Sequence, residues 1–334
     1  MAAKKYKITV LGSGSWGTAL SEHLSKAGHA VTLWGRNKET LREISEKHSN
    51  SSYFPGISLS PQIQTAEDVT KAVEGAECVV FSTPSTVYQD LAKSIAKATP
   101  KNAFIVSTAK GFQKQTQNRL SEILSEHLGH QERIAVLSGP SFASEVIRGL
   151  PTALVSASKG SEASEKVAEI FHHGSLRVYT SDDVIGVECG GAIKNSIALA
   201  SGIVDGLNLG SNARAALITR GLAEMKRLIL AMGGKSETVS GLSGLGDLIL
   251  TATGDLSRNR QVGMRLGAGE SLAQILSSMH QVAESIETTP KIALLAEKYS
   301  ISMPIIDALT KVLTREISPK ECAAQLLSRG RTSE

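Results

Sequence analysis

Cysteine is scarce: the 334 residues hold three, Cys78, Cys189 and Cys322. An odd number, so widely spread, provides neither a disulfide framework nor a CxxC pair for zinc or redox chemistry, and it fits a reducing compartment. Long apolar runs are absent too. The stretch that follows the lysines of MAAKKYKITVLGSG is about five residues, shorter than the apolar region of a signal peptide, and nothing approaches the roughly 18 apolar residues of a membrane span. These absences predict a cytoplasmic chain that does not enter a membrane. Neither sign of charge dominates, since 36 Lys and Arg against 32 Asp and Glu leave a formal +4. The basic residues are interspersed with acidic ones and form no stripe, which argues against a nucleic-acid partner. The small positive balance does suit an enzyme that draws anionic small molecules into a cleft. The eight histidines show no HxH or HExxH spacing, so no metal is expected. There is no low-complexity tract and no repeat of fixed period.

What is present is an ordinary globular composition, 41% hydrophobic and 20% charged, in a chain long enough for two domains. Short β-branched or apolar runs at Tyr6–Leu11, Ala30–Trp34, Cys78–Ser82, Phe104–Ser107 and Ile134–Leu137 alternate with helical stretches at Trp16–Ala27, Val87–Ala98 and Gln117–Leu128. That alternation predicts a parallel, doubly wound sheet of the Rossmann type. Ala153–Ser156 and Leu176–Tyr179, around a helix at Glu162–Phe171, complete it. After about Asp183 strand signals stop. Val184–Val204, Ala213–Met232, Leu272–Ser278, Glu284–Tyr299, Pro304–Leu313 and Pro319–Leu327 read as helices, the last capped by Ser318. The expected fold is α/β, residues 1–183, followed by an all-α domain, residues 184–330.

Gly12-Ser13-Gly14-Ser15-Trp16-Gly17 matches G-x-G-x-x-G between a predicted strand and a predicted helix. In that context Gly12 permits the tight turn, Gly14 admits a pyrophosphate close to the backbone, and Gly17 lets helix and strand pack. Where NAD-preferring proteins place an acid at the end of the second strand, this chain has Trp34-Gly35-Arg36-Asn37. Arg36 either pairs with a 2′-phosphate or is a solvated loop charge; the first reading favours NADP(H) over NAD(H).

Lys110, in Ser107-Thr108-Ala109-Lys110-Gly111, follows a strand at the carboxyl edge of the sheet. It meets a substrate oxygen or phosphate there, or it is a solvated charge. Ser138-Gly139-Pro140-Ser141-Phe142-Ala143 ends another strand in small residues, with Ser141 as the expected cap of the next helix. Lys194 shares its helix face with Val187, Gly191, Ile197 and Ala198. Either burial there lowers its pKa so that it exchanges a proton near neutrality, or its stem snorkels at a helix edge. Asp247 stands among the glycines and leucines of GLSGLGDL, and Ser257-Arg258-Asn259 follows. These supply an orienting carboxylate, a guanidinium and an amide suited to a phosphate, or they are caps and surface groups.

Taken in order, GSGSWG, STAKGF, SGPSFA, the GGAIKN segment, GLSGLGDL and SRN make nearly the whole chain closely resemble the bacterial-type NAD(P)-dependent glycerol-3-phosphate dehydrogenases. The resemblance implies reversible reduction of dihydroxyacetone phosphate to sn-glycerol 3-phosphate for phospholipid synthesis. It also implies a homodimer and a second domain like the helical domain of 6-phosphogluconate dehydrogenase. By position it makes Lys194 the proton donor and acceptor. Lys110, Gly139, Ser141, Asp247, Ser257, Arg258 and Asn259 become substrate contacts, with Lys110 and Asp247 close to the chemistry. Ser15, Trp16, Arg36, Tyr53, Ala143, Val282 and Glu284 become dinucleotide contacts, joined by Lys110 and Arg258. Serine at 141 stands where relatives commonly carry threonine, which keeps the hydroxyl.

Overall fold

A computed structural model describes residues 4–129, 131–279 and 283–328. It divides into two compact units, residues 1–109 with 118–187, and residues 110–117 with 188–334. The first unit holds an eight-stranded sheet: β1 (Lys7–Leu11), β2 (Ala30–Trp34), β3 (Gln64–Ala66), β4 (Cys78–Phe81), β5 (Phe104–Ser107), β6 (Ile134–Ser138), β7 (Thr152–Ser158) and β8 (Leu176–Ser181). Its strand order is β3-β2-β1-β4-β5-β6-β7-β8, in which the chain reverses direction across the sheet after β3. The helices of this unit are α1 (Ser15–Lys26), α2 (Lys38–Lys47), α3 (Val69–Val73), α4 (Tyr88–Ile95), α5 (Leu120–Leu128), α6 (Ala143–Val146) and α7 (Ser161–Phe171).

The central strands are buried on both faces, as parallel strands covered by crossover helices must be. Period-two alternation assigns the faces: Cys78 and Val80 of β4 join one apolar cluster with Ile8, Val10 and Leu33, whereas Val79 and Phe81 join another with Leu11 and Ile105. One part of the expected sheet differs. β7 runs antiparallel to β6 and parallel to β8. The connection from β6 to β7 contains only the four-residue α6, about 6 Å of helix at 1.5 Å per residue. That is too short to carry the chain back along a strand, so β7 returns in the opposite sense. The three-residue β3, polar and part-exposed, also lacks the apolar run by which the other strands were predicted.

The second unit is helical: α8 (Val184–Gly206), α9 (Gly210–Ala231), α10 (Ser236–Val239), α11 (Asp247–Thr253), α12 (Arg258–Gly267), α13 (Leu272–Ser278), α14 (Glu284–Lys298), α15 (Pro304–Leu313) and α16 (Pro319–Leu327). The division between the units falls between Val187 and Glu188, inside α8. From Glu188 to Val204 every residue of α8 is buried, the signature of a helix surrounded by others. Its contact with α12 is made backbone to backbone. A Cβ on Gly202 would lie 2.0 Å from the carbonyl oxygen of Arg260, and one on Gly263 would lie 2.0 Å from that of Leu199. No side chain fits there, and the close approach sets the start of α12 beside the middle of α8. Ser318 caps α16 in a full capping box with Glu321, and Pro304 and Pro319 open their helices, as predicted. No helix among the described residues is long and apolar enough to cross a membrane.

Candidate active site

The glycine loop joins β1 to α1. Gly12 sits at φ +122°, and a Cβ there would lie 2.6 Å from the carbonyl oxygen of Ser82. A Cβ on Gly17 would lie 1.8 Å from the carbonyl oxygen of Gly12, so the helix can pack against the strand only with glycine at this position. Gly14 differs: a Cβ there meets nothing within 4 Å. It is the N-cap of α1 and offers no side-chain cap, and no acid lies in the first turn. The opening N–H groups of this twelve-residue helix thus have no side-chain cap and carry the positive end of its dipole, a cradle that fits a dinucleotide pyrophosphate. Trp16 and Tyr53 are partly buried against the neighbouring apolar core. Arg36 is exposed, and no hydrogen bond or ion pair ties it to another described residue. Asn37 instead caps α2, accepting the N–H groups of Glu39 and Thr40 at 2.9 and 3.1 Å.

Of the SGPSFA segment, Gly139 has φ +143° and is pressed against β7, where a Cβ would lie 2.9 Å from the carbonyl oxygen of Ala153. Ser141 does not cap the next helix as predicted. Its hydroxyl donates to the carbonyl of Gly139 at 3.0 Å, and the N-cap of α6 is Phe142, without a side-chain bond. The Asx/Ser-type local bond closes the turn two residues back, so the hydroxyl is spent before the helix starts. Ala143, the first residue of α6, is partly buried against the apolar core.

The helical unit assembles the charged groups. Lys194 of α8 is 5% exposed. Its ammonium donates to Asp247 Oδ1 at 2.9 Å and to the Thr251 hydroxyl at 2.5 Å, so this lysine does not snorkel. Lys110 donates to the other carboxylate oxygen, Asp247 Oδ2, at 2.6 Å. Asp247 and Thr251 lie one turn apart on α11, just after a π-helical turn at Leu242–Gly246, and the Thr251 hydroxyl donates back to the Asp247 carbonyl at 2.7 Å.

One buried carboxylate therefore serves two ammonium groups. Burial alone pushes Asp247 up, but Lys110 and Lys194 overcome it and hold the carboxyl below its usual range. The unbalanced positive charge falls on Lys194, whose side chain is 6% exposed against 19% for Lys110. Burial lowers Lys194, Asp247 opposes that, and the repulsion of Lys110 adds to it, leaving a pKa of about 8. An amine so tuned can hold or release a proton near neutral pH.

A second network adjoins the first. Asn195, next to Lys194 on α8, donates to Glu284 Oε2 at 3.2 Å and accepts from Asn259 Nδ2 at 3.0 Å. Asn259 Oδ1 accepts the N–H of Ser285 at 3.1 Å, so the amide plane of Asn259 is fixed from both ends. Burial raises Glu284 against the pull of Arg258, Lys110 and Lys194. Ser257 is the N-cap of α12, its hydroxyl accepting from the N–H of Arg260 at 3.2 Å. Arg258 is the first residue of that helix and is exposed. Lys291 of α14 donates to the carbonyl of Phe112 at 2.9 Å and so ties down the loop that presents Lys110. Val282 lies outside the described residues.

Lys110, Lys194, Asp247, Arg258, Asn259 and Glu284 thus belong to the helical unit, while the glycine loop, Arg36, Tyr53, Gly139, Ser141 and Ala143 belong to the sheet unit. Thr251 and Asn195 were missed by the sequence reading. Each had a signal: Thr251 lies four residues after Asp247 and hence on the same helix face, and Asn195 is part of GGAIKN. Among the described residues no cluster of three His, Cys, Asp or Glu could hold a metal ion.

Comparison with known proteins bears on both units. Residues 7–164 match the profile of the NAD-dependent glycerol-3-phosphate dehydrogenase N-terminus, and residues 183–324 match that of its C-terminus. The glycerol-3-phosphate dehydrogenase [NAD(P)+] of Stenotrophomonas maltophilia is 44% identical over 334 residues, covering 100% of this chain and 98% of that protein. The protein of the same name from Moorella thermoacetica is 46% identical over 330 residues, 99% of this chain and 98% of the relative. The crystal structure of glycerol-3-phosphate dehydrogenase from Coxiella burnetii superposes with a TM-score of 0.93 at 38% identity, covering 97% of this chain and 99% of that one. With a dinucleotide cradle in one unit, a tuned lysine in the other and matches across both, the chain belongs to the NAD(P)-dependent glycerol-3-phosphate dehydrogenase family of oxidoreductases.

Proposed function

We propose that this chain interconverts dihydroxyacetone phosphate and sn-glycerol 3-phosphate, as a cytoplasmic homodimer that feeds glycerophospholipid synthesis. In this reading residues 1–183 hold the dinucleotide and residues 184–330 supply the acid and the phosphate anchors. The observation that carries it is the buried Lys194, held between Asp247 and Thr251 with a pKa of about 8.

The reduced nicotinamide, when bound, supplies the hydride that turns the C2 carbonyl into an alkoxide. The residues of the chain do the rest. Lys194 Nζ gives its proton to the C2 oxygen and takes one back in the reverse direction. Asp247 keeps that ammonium from losing its proton too early. Thr251, whose hydroxyl proton is committed to the Asp247 carbonyl, presents a lone pair to Nζ and so fixes where the remaining N–H points. Arg258 supplies a planar fork for the phosphate. Asn259 has one N–H left after bonding Asn195, aimed by the clamp on its amide. Gly139, Ser141, Ser257 and Lys110 complete the substrate contacts. Gly12, Gly14, Ser15, Trp16, Gly17, Tyr53, Ala143, Val282 and Glu284 hold the dinucleotide with Lys110 and Arg258. Arg36, exposed and free of partners among the described residues, takes the 2′-phosphate and favours NADP(H).

The test is to mix purified protein with dihydroxyacetone phosphate and NADPH or NADH in parallel, and to follow the absorbance of the reduced cofactor. Oxidation is expected with both, faster with NADPH below saturation. No oxidation with either cofactor, or a preference for a carboxylate substrate such as ketopantoate, contradicts the reading.

A further inference from the structure

Asn50 plays no part in the chemistry above, yet it is wholly buried beside the glycine loop. It follows α2 after His48, a residue in the left-handed region. Its side-chain Nδ2 donates to the carbonyl of Ser13 at 3.2 Å and to the Thr18 hydroxyl at 2.9 Å. Thr18 lies one turn into α1, and its own hydroxyl reaches the same Ser13 carbonyl at 3.4 Å while its N–H closes on the Gly14 carbonyl at 2.9 Å. The backbone carbonyl of Asn50 accepts the N–H groups of Tyr53 and Phe54 at 3.1 and 2.8 Å. One residue therefore fastens the glycine loop on one side and the turn bearing Tyr53 on the other.

Ser13 is gripped a third time, because its side chain fills the space over Gly35, where a Cβ would lie 2.1 Å from Ser13 Oγ. The amide pays for its place with an unsatisfied acceptor: among the described residues Asn50 Oδ1 is buried without a partner. A flipped amide would set that oxygen against the Ser13 carbonyl oxygen, so the loop itself fixes which way Asn50 faces. A buried residue with an unpaired acceptor is a cost to folding, and what it provides here is the orientation of the Ser13–Gly14 peptide, whose N–H opens the cradle at the start of α1.

We propose that Asn50 is a positioning residue for the dinucleotide, which locks the Ser13–Gly14 peptide in the pose that binds the pyrophosphate. The inference rests on reading the glycine loop as the dinucleotide site. Because the pyrophosphate is common to both cofactors, loss of Asn50 weakens NADPH and NADH equally, in contrast to loss of Arg36, which weakens NADPH alone.

The experiment needs no turnover. The only two tryptophans of the chain flank this loop, Trp16 in the first turn of α1 and Trp34 through its carbonyl bond to the Gly12 N–H at 2.8 Å. Quenching of their emission by NADPH or NADH reports binding. For Asn50→Asp, isosteric but unable to donate to Ser13, and for Asn50→Ala, the dissociation constants of both cofactors are expected to rise by about ten-fold, the weight of one aligned hydrogen bond. Melting of the protein without cofactor is followed alongside. A lower melting temperature with unchanged dissociation constants overturns the proposal and leaves Asn50 a structural residue. So does a loss confined to NADPH. If neither Asn50 variant folds, Thr18→Val and Thr18→Ser decide: weaker binding in the valine variant alone supports the proposal, and equal binding in both overturns it. Failure of the wild type itself to bind either cofactor refutes the reading of the loop, a different result from a variant that matches the wild type.

Discussion

Replacing Lys194 with methionine is expected to cut the turnover of dihydroxyacetone phosphate by about 10²–10⁴-fold, the contribution of a positioned general acid, while quenching by NADPH is unchanged and the protein stays folded. The last point follows from charge arithmetic. Buried Lys194 and Asp247 and part-exposed Lys110 form a hydrogen-bonded group of two cations around one carboxylate. Removing Lys194 leaves a matched pair, Lys110 with Asp247, and methionine fills the vacated space without a charge to desolvate. A loss of activity in this variant thus reports the missing proton and not a damaged fold. Turnover close to wild type, measured at saturating substrate, removes Lys194 from the chemistry.

Asp247→Asn acts on the same group with the opposite arithmetic, and its main effect is on stability. The two ammonium groups then lose the carboxylate they share and keep only the electrostatic pull of Glu284. Lys110 can turn towards solvent, but Lys194, 6% exposed, cannot. Breaking a buried pair by removing one partner costs about 3–5 kcal/mol, or roughly 2–4 °C of melting temperature per kcal/mol for a unit of this size.

The pH dependence of that loss has a definite sign. A lysine whose folded pKa lies below its unfolded value binds its proton less well when folded, so its penalty is fully present at low pH and is relieved as pH rises towards the unfolded value. With Asp247 gone, burial pushes Lys194 further below the value of about 8 that it holds in the intact site. The deficit of the variant relative to the intact protein is therefore expected to shrink as pH rises towards about 8, where Lys194 of the intact site loses its own proton, and to level off above it in thermal melts. A deficit that grows as pH rises contradicts the assignment of the buried charge.

Much of this was legible because a few residues carry steric demands that permit little else. Gly12 and Gly17, in a G-x-G-x-x-G spacing between a β-branched run and a helix, favoured a dinucleotide loop over a plain glycine-rich turn, and the positions where a Cβ would strike Ser82 or Gly12 show why. The sense of β7 was not legible, since it depends on the length of a connection whose helix is one turn. Helix α12 escaped the helical pattern for a related reason. Gly263 and Gly267 lower intrinsic helix propensity, and only the backbone of α8 pressed against them explains their presence. Ser141 carried the chemistry of a cap but had a nearer acceptor, the Gly139 carbonyl. Lys110 was placed by its strand, yet its partner is 137 residues away on α11, a pairing no local pattern encodes. Asn50 was silent for the same reason, because its meaning lies in Ser13 and Thr18, on the other side of β2 in the sequence.

The most direct test of the account is the pH profile of kcat/KM in both directions. Reduction of dihydroxyacetone phosphate needs Lys194 protonated, so it should be level below about pH 8 and fall above it, and oxidation of sn-glycerol 3-phosphate needs the free amine, so it should rise to a plateau above the same pH. Profiles of opposite sense meeting near pH 8, and lost in Lys194→Met, are the predicted result. Profiles that are flat across this range, or that move in the same sense in both directions, contradict a proton carried by Lys194.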